Sequence, residues 1–449
     1  MIGGVSVDSR TARAGDVFFA LRGPNFDGHD FLPQAAAAGC AAAVVEFEAA
    51  LDEQAMGRFA GGVVGVADTR AALGELAGSV RGHLAASFVG VTGSNGKTTV
   101  KGMIDQILSR RLKGRAGPKS FNNDVGVPLT IFDAAADDDY VICEIGSNAP
   151  GEIAALTGIV RPDVAVITSV AETHLEKLTD LEHIATEKAA ILGGLSPSGL
   201  GVIWADSEPL GRAVRAYDVR RVGFGESDSA ELRLTGYEAL DGACRFEVNG
   251  RMWAELSVPG RHNALNALAA IGVAQRFGMD PQAAAEALRD YAGLEMRLER
   301  VPAGAITIVN DAYNANPASL LAAGETLASF PGKRHVIVAG DMLELGPRSL
   351  ELHRAAGEAL SRCRVDLLVG VGPLGRQIAA AAAGGDVQTE QIASVEAACR
   401  RLPKMLKSGD VVLVKGSRAV GMERLVGKIQ AAFAPARRAG KTRKAKPKC

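Results

Sequence analysis

The stretch Thr92-Gly93-Ser94-Asn95-Gly96-Lys97-Thr98-Thr99 joins a short apolar run, Phe88–Val91, to a segment of helical periodicity. In that segment Val100, Met103, Ile104, Ile107 and Leu108 fall at i, i+3, i+4, i+7 and i+8, the spacing of one buried helical face. A glycine-bearing turn between a strand and a helix is what a phosphate-binding loop requires. Glycines let backbone N–H groups turn inward, and the helix N-terminus adds positive potential. Gly93, Ser94, Asn95, Gly96, Lys97, Thr98 and Thr99 are therefore candidate nucleotide contacts. Lys97 has the reach for the β- and γ-phosphates, and the hydroxyl of Thr98 or Thr99 suits Mg²⁺. The commonest form of such a loop carries glycine where this chain has Val91, so this is a variant. A chance glycine-rich turn is the alternative. The strand, the Gly-Lys-Thr-Thr core and the helix face together weigh against it.

Two further apolar runs follow, Tyr140–Cys143 and Val164–Thr168. Neither alternates apolar with polar, as expected of strands in a sheet buried on both faces. In an open α/β sheet, ligands gather beyond the carboxyl ends of the strands. Glu144, directly after the first run, is placed to hold Mg²⁺, a hard cation that takes oxygen ligands. An ordinary surface glutamate in a turn is the alternative. His174 follows the second run by a short loop and is a candidate for a second metal position, against the commoner structural histidine. Thr179 and Glu182 have capping-box spacing, which predicts a helix start. On that helix Leu181, Ile184, Ala185, Lys188 and Leu192 share one stripe. A lysine in an apolar stripe is costly unless it is neutralised, paired or able to reach the edge. Desolvation favours the neutral amine, which can take up CO₂ as a carbamate and so become an acidic metal ligand. Helical spacing alone favours the plainer reading, a lysine that snorkels to water.

Before the loop, a turn and strand are expected over Gly15–Leu21, an Ala-rich helix over 33–38, and strands at Ala42–Val45 and Gly61–Val66. After the central runs, residues 220–258 carry short alternating segments and read as an antiparallel insertion. Asn263 to Phe277 reads as a helix closed by Gly278, and Asp280-Pro281 starts another. From about residue 298 strand and helix patterns alternate again, with strands at Ile306–Val309, Val336–Ala339, Leu367–Val369 and Val411–Val414. That is the pattern of a doubly wound sheet. Arg437 to Lys448 is crowded with Lys and Arg and reads as a disordered, solvated tail.

Bulk properties set the class. The 449 residues are 47% hydrophobic and 22% charged, with a formal net charge of -1. At roughly 100–200 residues per domain, that length suggests about three domains. The near-neutral balance gives no field for nucleic acid or an anionic membrane. No signal peptide and no membrane-spanning run is visible, so a cytoplasmic chain without membrane insertion is expected. The six cysteines form no Cys-x-x-Cys pair and no metal-type spacing, and read as reduced thiols.

Taken together the motifs resemble those of the Mur ligases, which build the peptide stem of bacterial cell-wall precursors. The resemblance covers essentially the whole chain and is strongest to the branch that adds D-alanyl-D-alanine. Asp8-Ser9-Arg10, Gly15-Asp16-Val17-Phe18 and Asp27-Gly28-His29-Asp30-Phe31 resemble the family's N-terminal uridine-nucleotide domain. The phosphate loop is the family's own variant, which accounts for Val91. Ser120-Phe121-Asn122-Asn123 and Gly126-Val127-Pro128-Leu129-Thr130 resemble the segment lining the substrate path. Glu144, His174 and Lys188 match the metal ligands and the carbamylated lysine, and that match reverses the snorkelling preference. Gly260-Arg261-His262-Asn263-Ala264-Leu265-Asn266 resembles the adenine-side segment, carrying over Asn266. Arg297 and Asp311 match nucleotide contacts of the last domain. Asp311-Ala312-Tyr313-Asn314-Ala315-Asn316-Pro317, Gly340-Asp341-Met342-Leu343-Glu344-Leu345-Gly346 and Lys415-Gly416-Ser417-Arg418 fit the D-alanyl-D-alanine-adding branch.

The resemblance implies an α/β chain of three domains. These are an N-terminal uridine-nucleotide domain over 1–85, a central ATP-binding domain with a mostly parallel sheet over 86–296, and a Rossmann-like domain over 297–434, followed by the basic tail 435–449. Family members usually carry further residues before the position of Val5, so the first domain is expected to be short at its start. Implied ligands are ATP, two Mg²⁺, a UDP-linked muramoyl tripeptide and D-alanyl-D-alanine, handled by a monomer. Lys97, Glu144, His174, Lys188 and Arg297 are the implied catalytic set, with Thr98, Glu144, His174 and Lys188 around metal. Ser9, Arg10, Asn122, Asn123, Tyr313, Asn314 and Asn316 are the implied substrate contacts. A diaminopimelate- or lysine-adding ligase of the same family, or a folylpolyglutamate synthase, is the alternative. The first of these would be expected to show Asp-Asn-Pro-Arg in its last domain and the second to lack the N-terminal motifs. A nucleotide-dependent switch or binding module, the reading from another class, would need neither the strand-end metal site nor a third domain.

Overall fold

The structure is a computed structural model that describes residues 3–49 and 57–434. The basic stretch 435–449 lies outside the described residues. The first sheet is parallel in chain order: β1 (Gly4–Ser6), β2 (Asp16–Phe19), β3 (Ala42–Glu46) and β4 (Val63–Val66). Side chains alternate across it. Phe18, Ala20 and Val45 enter one apolar cluster, while Val17, Phe19 and Val44 enter another with Leu73. The helix Thr69–His83 follows, capped by the Asp68 carboxylate, which accepts the N–H groups of Arg70 and Ala71. Near its far end Arg81 stacks 4.0 Å over the Phe88 ring and pairs with Asp163 at 3.1 Å, so it seats the helix on the next sheet.

That central sheet holds β5 (Ser87–Thr92), β6 (Gly114–Ala116), β7 (Tyr140–Glu144), β8 (Val164–Ile167), β9 (Leu200–Trp204), β10 (Arg220–Gly225), β11 (Leu232–Leu240), β12 (Ala243–Val248) and β13 (Met252–Leu256). Its order is β13-β12-β11-β10-β9-β8-β5-β7-β6. The expected antiparallel insertion is corrected here. β10 pairs in parallel with both β9 and β11, while β12 and β13 pair antiparallel, so 220–258 continues the sheet. Winding reverses at β5, which lies between β7 and β8. The register sets Val91 beside Glu144 and Thr92 beside Ile167, so three strand ends open on one crevice.

The helix Lys97–Leu108 buries Val100, Met103, Ile104, Ile107 and Leu108 completely. Burying such side chains stabilises by about 1.5–3 kcal/mol each. They share one core with the helix Arg261–Arg276, which begins two residues before the expected Asn263. The helix Leu181–Ala189 is capped by Asp180, whose carboxylate accepts the His183 N–H, and not by Thr179, whose φ of 55° is left-handed.

The third sheet contains β14 (Glu299–Ala303), β15 (Ile306–Asp311), β16 (Arg334–Ala339), β17 (Leu367–Val371), β18 (Gln388–Ile392) and β19 (Asp410–Lys415), in the order β14-β15-β19-β16-β17-β18. β14 is antiparallel to β15, and the rest run parallel. All three domains are thus α/β. The chain forms two compact units: one runs to Ala239 and resumes over Ala243–Ala292, and the other takes Leu240–Gly242 with the chain from Gly293 onward.

Candidate functional site

The loop between β5 and the helix Lys97–Leu108 has glycine where the backbone demands it. Gly93 has φ 143°, and a Cβ there would lie 2.1 Å from the Thr168 hydroxyl. Gly96 has φ 83°, and a Cβ there would lie 2.5 Å from Asn266 Oδ1. Asn266 therefore lies against the loop itself, its side-chain N–H donating a hydrogen bond to Asn263 Oδ1 at 3.1 Å. The segment after β8 braces the loop. Ser94 N–H donates to the Ser169 carbonyl at 2.9 Å, and Asn95 N–H to the Ser169 hydroxyl at 2.8 Å. The Ser94 hydroxyl donates to the Ala171 carbonyl at 3.0 Å. Ser94 thus faces inward as a brace. The helix begins at Lys97, and a helix N-terminus turns its first amides and its positive potential toward an anion. Lys97 Nζ donates to the Gly93 carbonyl at 2.7 Å, which curls the ammonium over the loop. The Thr98 hydroxyl lies 3.5 Å from that of Ser120.

Glu144, at the end of β7, is 1% exposed. Its Oε1 accepts from the Asn122 side-chain amide at 2.9 Å, and its Oε2 lies 3.6 Å from Lys101 Nζ. That Oε2 is buried and accepts no hydrogen bond, the state of an oxygen built to meet a cation. Lys188 is also 1% exposed, which removes the snorkelling alternative. Its Nζ donates to the Ser147 hydroxyl at 2.6 Å, three residues beyond Glu144. Burial first, and then the charge of Lys97, pulls the Lys188 amine down to about 7, against Glu187 and Glu152. The neighbouring Glu187 turns elsewhere and accepts the N–H groups of Gly151 at 2.7 Å and Ile153 at 2.8 Å, pinning its helix to the start of Glu152–Val160. His174 stands after β8 in a left-handed conformation, φ 54°, at the start of the helix Leu175–Leu178. Among the described residues no three His, Cys, Asp or Glu side chains converge on a point. Glu144 Oε2, buried and accepting no hydrogen bond, is the oxygen here that fits a hard cation.

Two residues of this crevice gave little warning in the sequence. Lys101 is 4% exposed and carries the second cation next to Glu144. Its signal was position: it lies three residues before Ile104 and seven before Leu108, inside the buried stripe. Ser147 had no signal beyond following Glu144 by three. Asn123 differs from Asn122. Its Oδ1 accepts the Gly126 N–H at 2.9 Å, where the helix Gly126–Phe132 begins.

In the second unit the candidates meet at the carboxyl ends of β15 and β19. Lys415 Nζ pairs with Asp311 at 2.5 Å and donates to the Asn314 carbonyl at 2.9 Å. The Arg297 guanidinium lies 4.3 Å from the Tyr313 ring centroid. Asn316 caps the helix Pro317–Leu327 through a reciprocal bond with Ser319, so its side chain holds fold as well as any ligand. Beyond β16, Asp341 accepts the N–H groups of Leu374 and Gly375, at 2.9 and 2.6 Å. In the first domain Arg10 is exposed and forks onto Asp8, holding that carboxyl down at about 2, and Ser9 is half-buried beside it. Cys40, Cys143, Cys244, Cys363 and Cys399 are free, and no described helix is long and apolar enough to cross a membrane.

Comparison with known proteins covers the whole chain. Family models match in sequence: "Mur ligase family, catalytic domain" at 1–81, "Mur ligase middle domain" at 91–274, and "Mur ligase, glutamate ligase domain" at 296–418. The UDP-N-acetylmuramoyl-tripeptide–D-alanyl-D-alanine ligase of Bacillus subtilis is 32% identical over 431 residues, covering 95% of this chain and 93% of its own. That of Escherichia coli is 34% identical over 434 residues, with the same coverage of 95% and 93%. The crystal structure of MurF ligase from Thermotoga maritima in complex with ADP superposes with a TM-score of 0.84 at 28% identity, over 96% of this chain and 97% of that one.

Proposed function

The chain belongs to the Mur ligase family, and from that premise we propose how its residues carry out the reaction. It is an ATP-dependent amide ligase of the D-alanyl-D-alanine-adding class in peptidoglycan precursor synthesis. The reaction joins D-alanyl-D-alanine to a UDP-linked muramoyl tripeptide and releases ADP and phosphate. The tripeptide's terminal carboxylate attacks the γ-phosphate, and the dipeptide amine then attacks the acyl phosphate and displaces phosphate. One observation carries the site assignment: the phosphate loop, Glu144 and Lys188 open on one crevice, where an amine lowered to about 7 stands near Lys97.

Lys97 exchanges its bond to the Gly93 carbonyl for phosphate oxygens and follows the charge as it moves to the leaving ADP. First-turn amides of the same helix hold the phosphate chain. Magnesium, held at Thr98 and Glu144 and at His174 and carbamylated Lys188, would neutralise charge where carboxylate and phosphate meet. Asn122 fixes the Glu144 carboxylate by its amide bond. Asn266 borders the loop on the nucleotide side, and Arg297 and Asp311 meet the nucleotide from the C-terminal domain. Ser9, Arg10, Asn123, Tyr313, Asn314 and Asn316 complete the substrate contacts. The domains divide near residues 85 and 296, and the enzyme works in the cytoplasm as a monomer.

Phosphate release tests this reading. With ATP and UDP-linked muramoyl tripeptide it stays low, and adding D-alanyl-D-alanine brings continuous release with one new amide per phosphate. Equal release with glutamate or diaminopimelate in place of the dipeptide would reassign the branch.

A further inference from the structure

Lys97 and Lys101 are one helical turn apart and leave the same face of their helix. Their surroundings differ. Lys97 curls over the phosphate loop, whereas Lys101 points into the protein beside the loop Gly117–Asn122. Its ammonium donates to the Gly117 carbonyl at 2.6 Å and to the Lys119 carbonyl, and it lies 3.6 Å from Glu144 Oε2. The loop is bent where it meets this charge, since Lys119 has φ 46°. Three residues on, Asn122 takes the other oxygen of the same carboxylate at 2.9 Å, and its own carbonyl accepts the Gly146 N–H at 2.8 Å. Glu144 is thus gripped on one side by a neutral amide and faced on the other by a cation anchored to two backbone carbonyls.

A buried carboxylate needs a compensating charge. Here the compensation is already inside the molecule. Resting on the assignment of Glu144 to the metal position, we infer that Lys101 is a positioning residue, the resident counter-cation of Glu144, which keeps a bare divalent ion out and admits it only with a nucleotide. An ion arriving alone meets a fixed positive charge 3.6 Å from the oxygen it must share. An ion arriving on a nucleotide brings phosphate charge that outweighs that repulsion. The carbonyl anchors stop Lys101 from simply swinging away. Metal and nucleotide therefore enter as one species, and the site does not fill with metal that excludes correctly chelated nucleotide.

Manganese binding to the full-length protein, followed by electron paramagnetic resonance with and without ADP, tests this. Lys101→Gln keeps a donor for the carbonyls and removes the charge. It is expected to bind free Mn²⁺ at least tenfold more tightly than the unsubstituted protein, while Lys101→Arg stays weak. A structural defect would lower metal affinity, so a gain is diagnostic. Lys101→Met, with no polar atom to strand, replaces Lys101→Gln if circular dichroism shows the latter unfolded. Unchanged affinity for free Mn²⁺ in the folded neutral variant would overturn the inference alone. Glu144→Gln separates the premise: it should weaken Mn²⁺ binding in the presence of ADP, and if it does not, the metal role of Glu144 falls and the inference with it.

Discussion

Lys188 and Gly96 show how much a single position in this crevice is asked to do. Lys188 has no route to water, and its amine is held near neutrality by burial and by Lys97. Lys188→Ala is expected to lose most turnover, with partial recovery on adding a short carboxylate such as acetate. Near-normal turnover of the untreated variant would rule out a carbamate there. Lys97→Ala is expected to abolish turnover with all substrates present, since its ammonium curls over the phosphate loop. Gly96 combines a left-handed φ with Asn266 at its back. Gly96→Ala should weaken ADP binding at least tenfold by calorimetry. At this scale the sequence was informative where a residue type was chemically odd for its pattern. Lys188 on an apolar stripe was singled out for that reason, although the stripe alone favoured snorkelling and only the family resemblance reversed that reading. Lys101, equally odd, lay in the shadow of the motif beside it.

Among the elements, the strands that were legible are the buried central ones, whose apolar runs have no other explanation. Most that escaped are marginal by composition, although β9, buried and apolar, was also passed over. β14 contains Pro302, which a strand tolerates only at an edge, and β14 is at the edge of its sheet. β18 reads Gln-Thr-Glu-Gln-Ile, too polar to signal a strand, and is the opposite edge. The misread 220–258 region alternated because its far strands pair antiparallel, while β10 joins the parallel run through backbone bonds that side-chain pattern does not report. The helix Ser349–Leu360 carries a pH dependence of its own. His353 is fully buried, donates from Nδ1 to the Ser349 carbonyl at 2.6 Å and accepts the Met342 N–H at Nε2, 2.9 Å away. Burial lowers its pKa below the ordinary 6.5. The unfolded chain then binds a proton that the folded one refuses, so the stability this group contributes is full above pH 6.5 and is lost as pH falls from there toward its folded value. His353→Gln should flatten the fall in melting temperature between pH 6.5 and 5, even if the variant melts lower overall. An unchanged pH slope would show that other groups set it.

Across the whole molecule, motif order along the chain carried more than any motif alone, because phosphate loops of this kind serve many reactions. The family resemblance carried by that ordered set narrowed the chemistry to carboxylate activation. The uridine side was least legible: Ser9 and Arg10 stand in the turn after β1, where the bond of Arg10 to Asp8 explains much of their placement. Ligand binding should be visible in the stability of the entire chain. At a hundredfold excess of Mg-ADP over its dissociation constant the folded state gains about 2.7 kcal/mol. A rise of several degrees in the melting temperature is expected for the native chain, and almost none for Lys97→Ala. A shift of equal size in that variant would move the phosphate grip elsewhere. One last consequence comes from Glu187, which grips a neighbouring helix while the next residue faces the crevice. Successive residues on a helix point about 100° apart. Deleting or adding one residue between Asp180 and Glu187 would swing the anchor and the amine together by about 100°, away from both of their partners. That short span can exchange letters freely on its outer side, but its count is as fixed as the pitch of a screw.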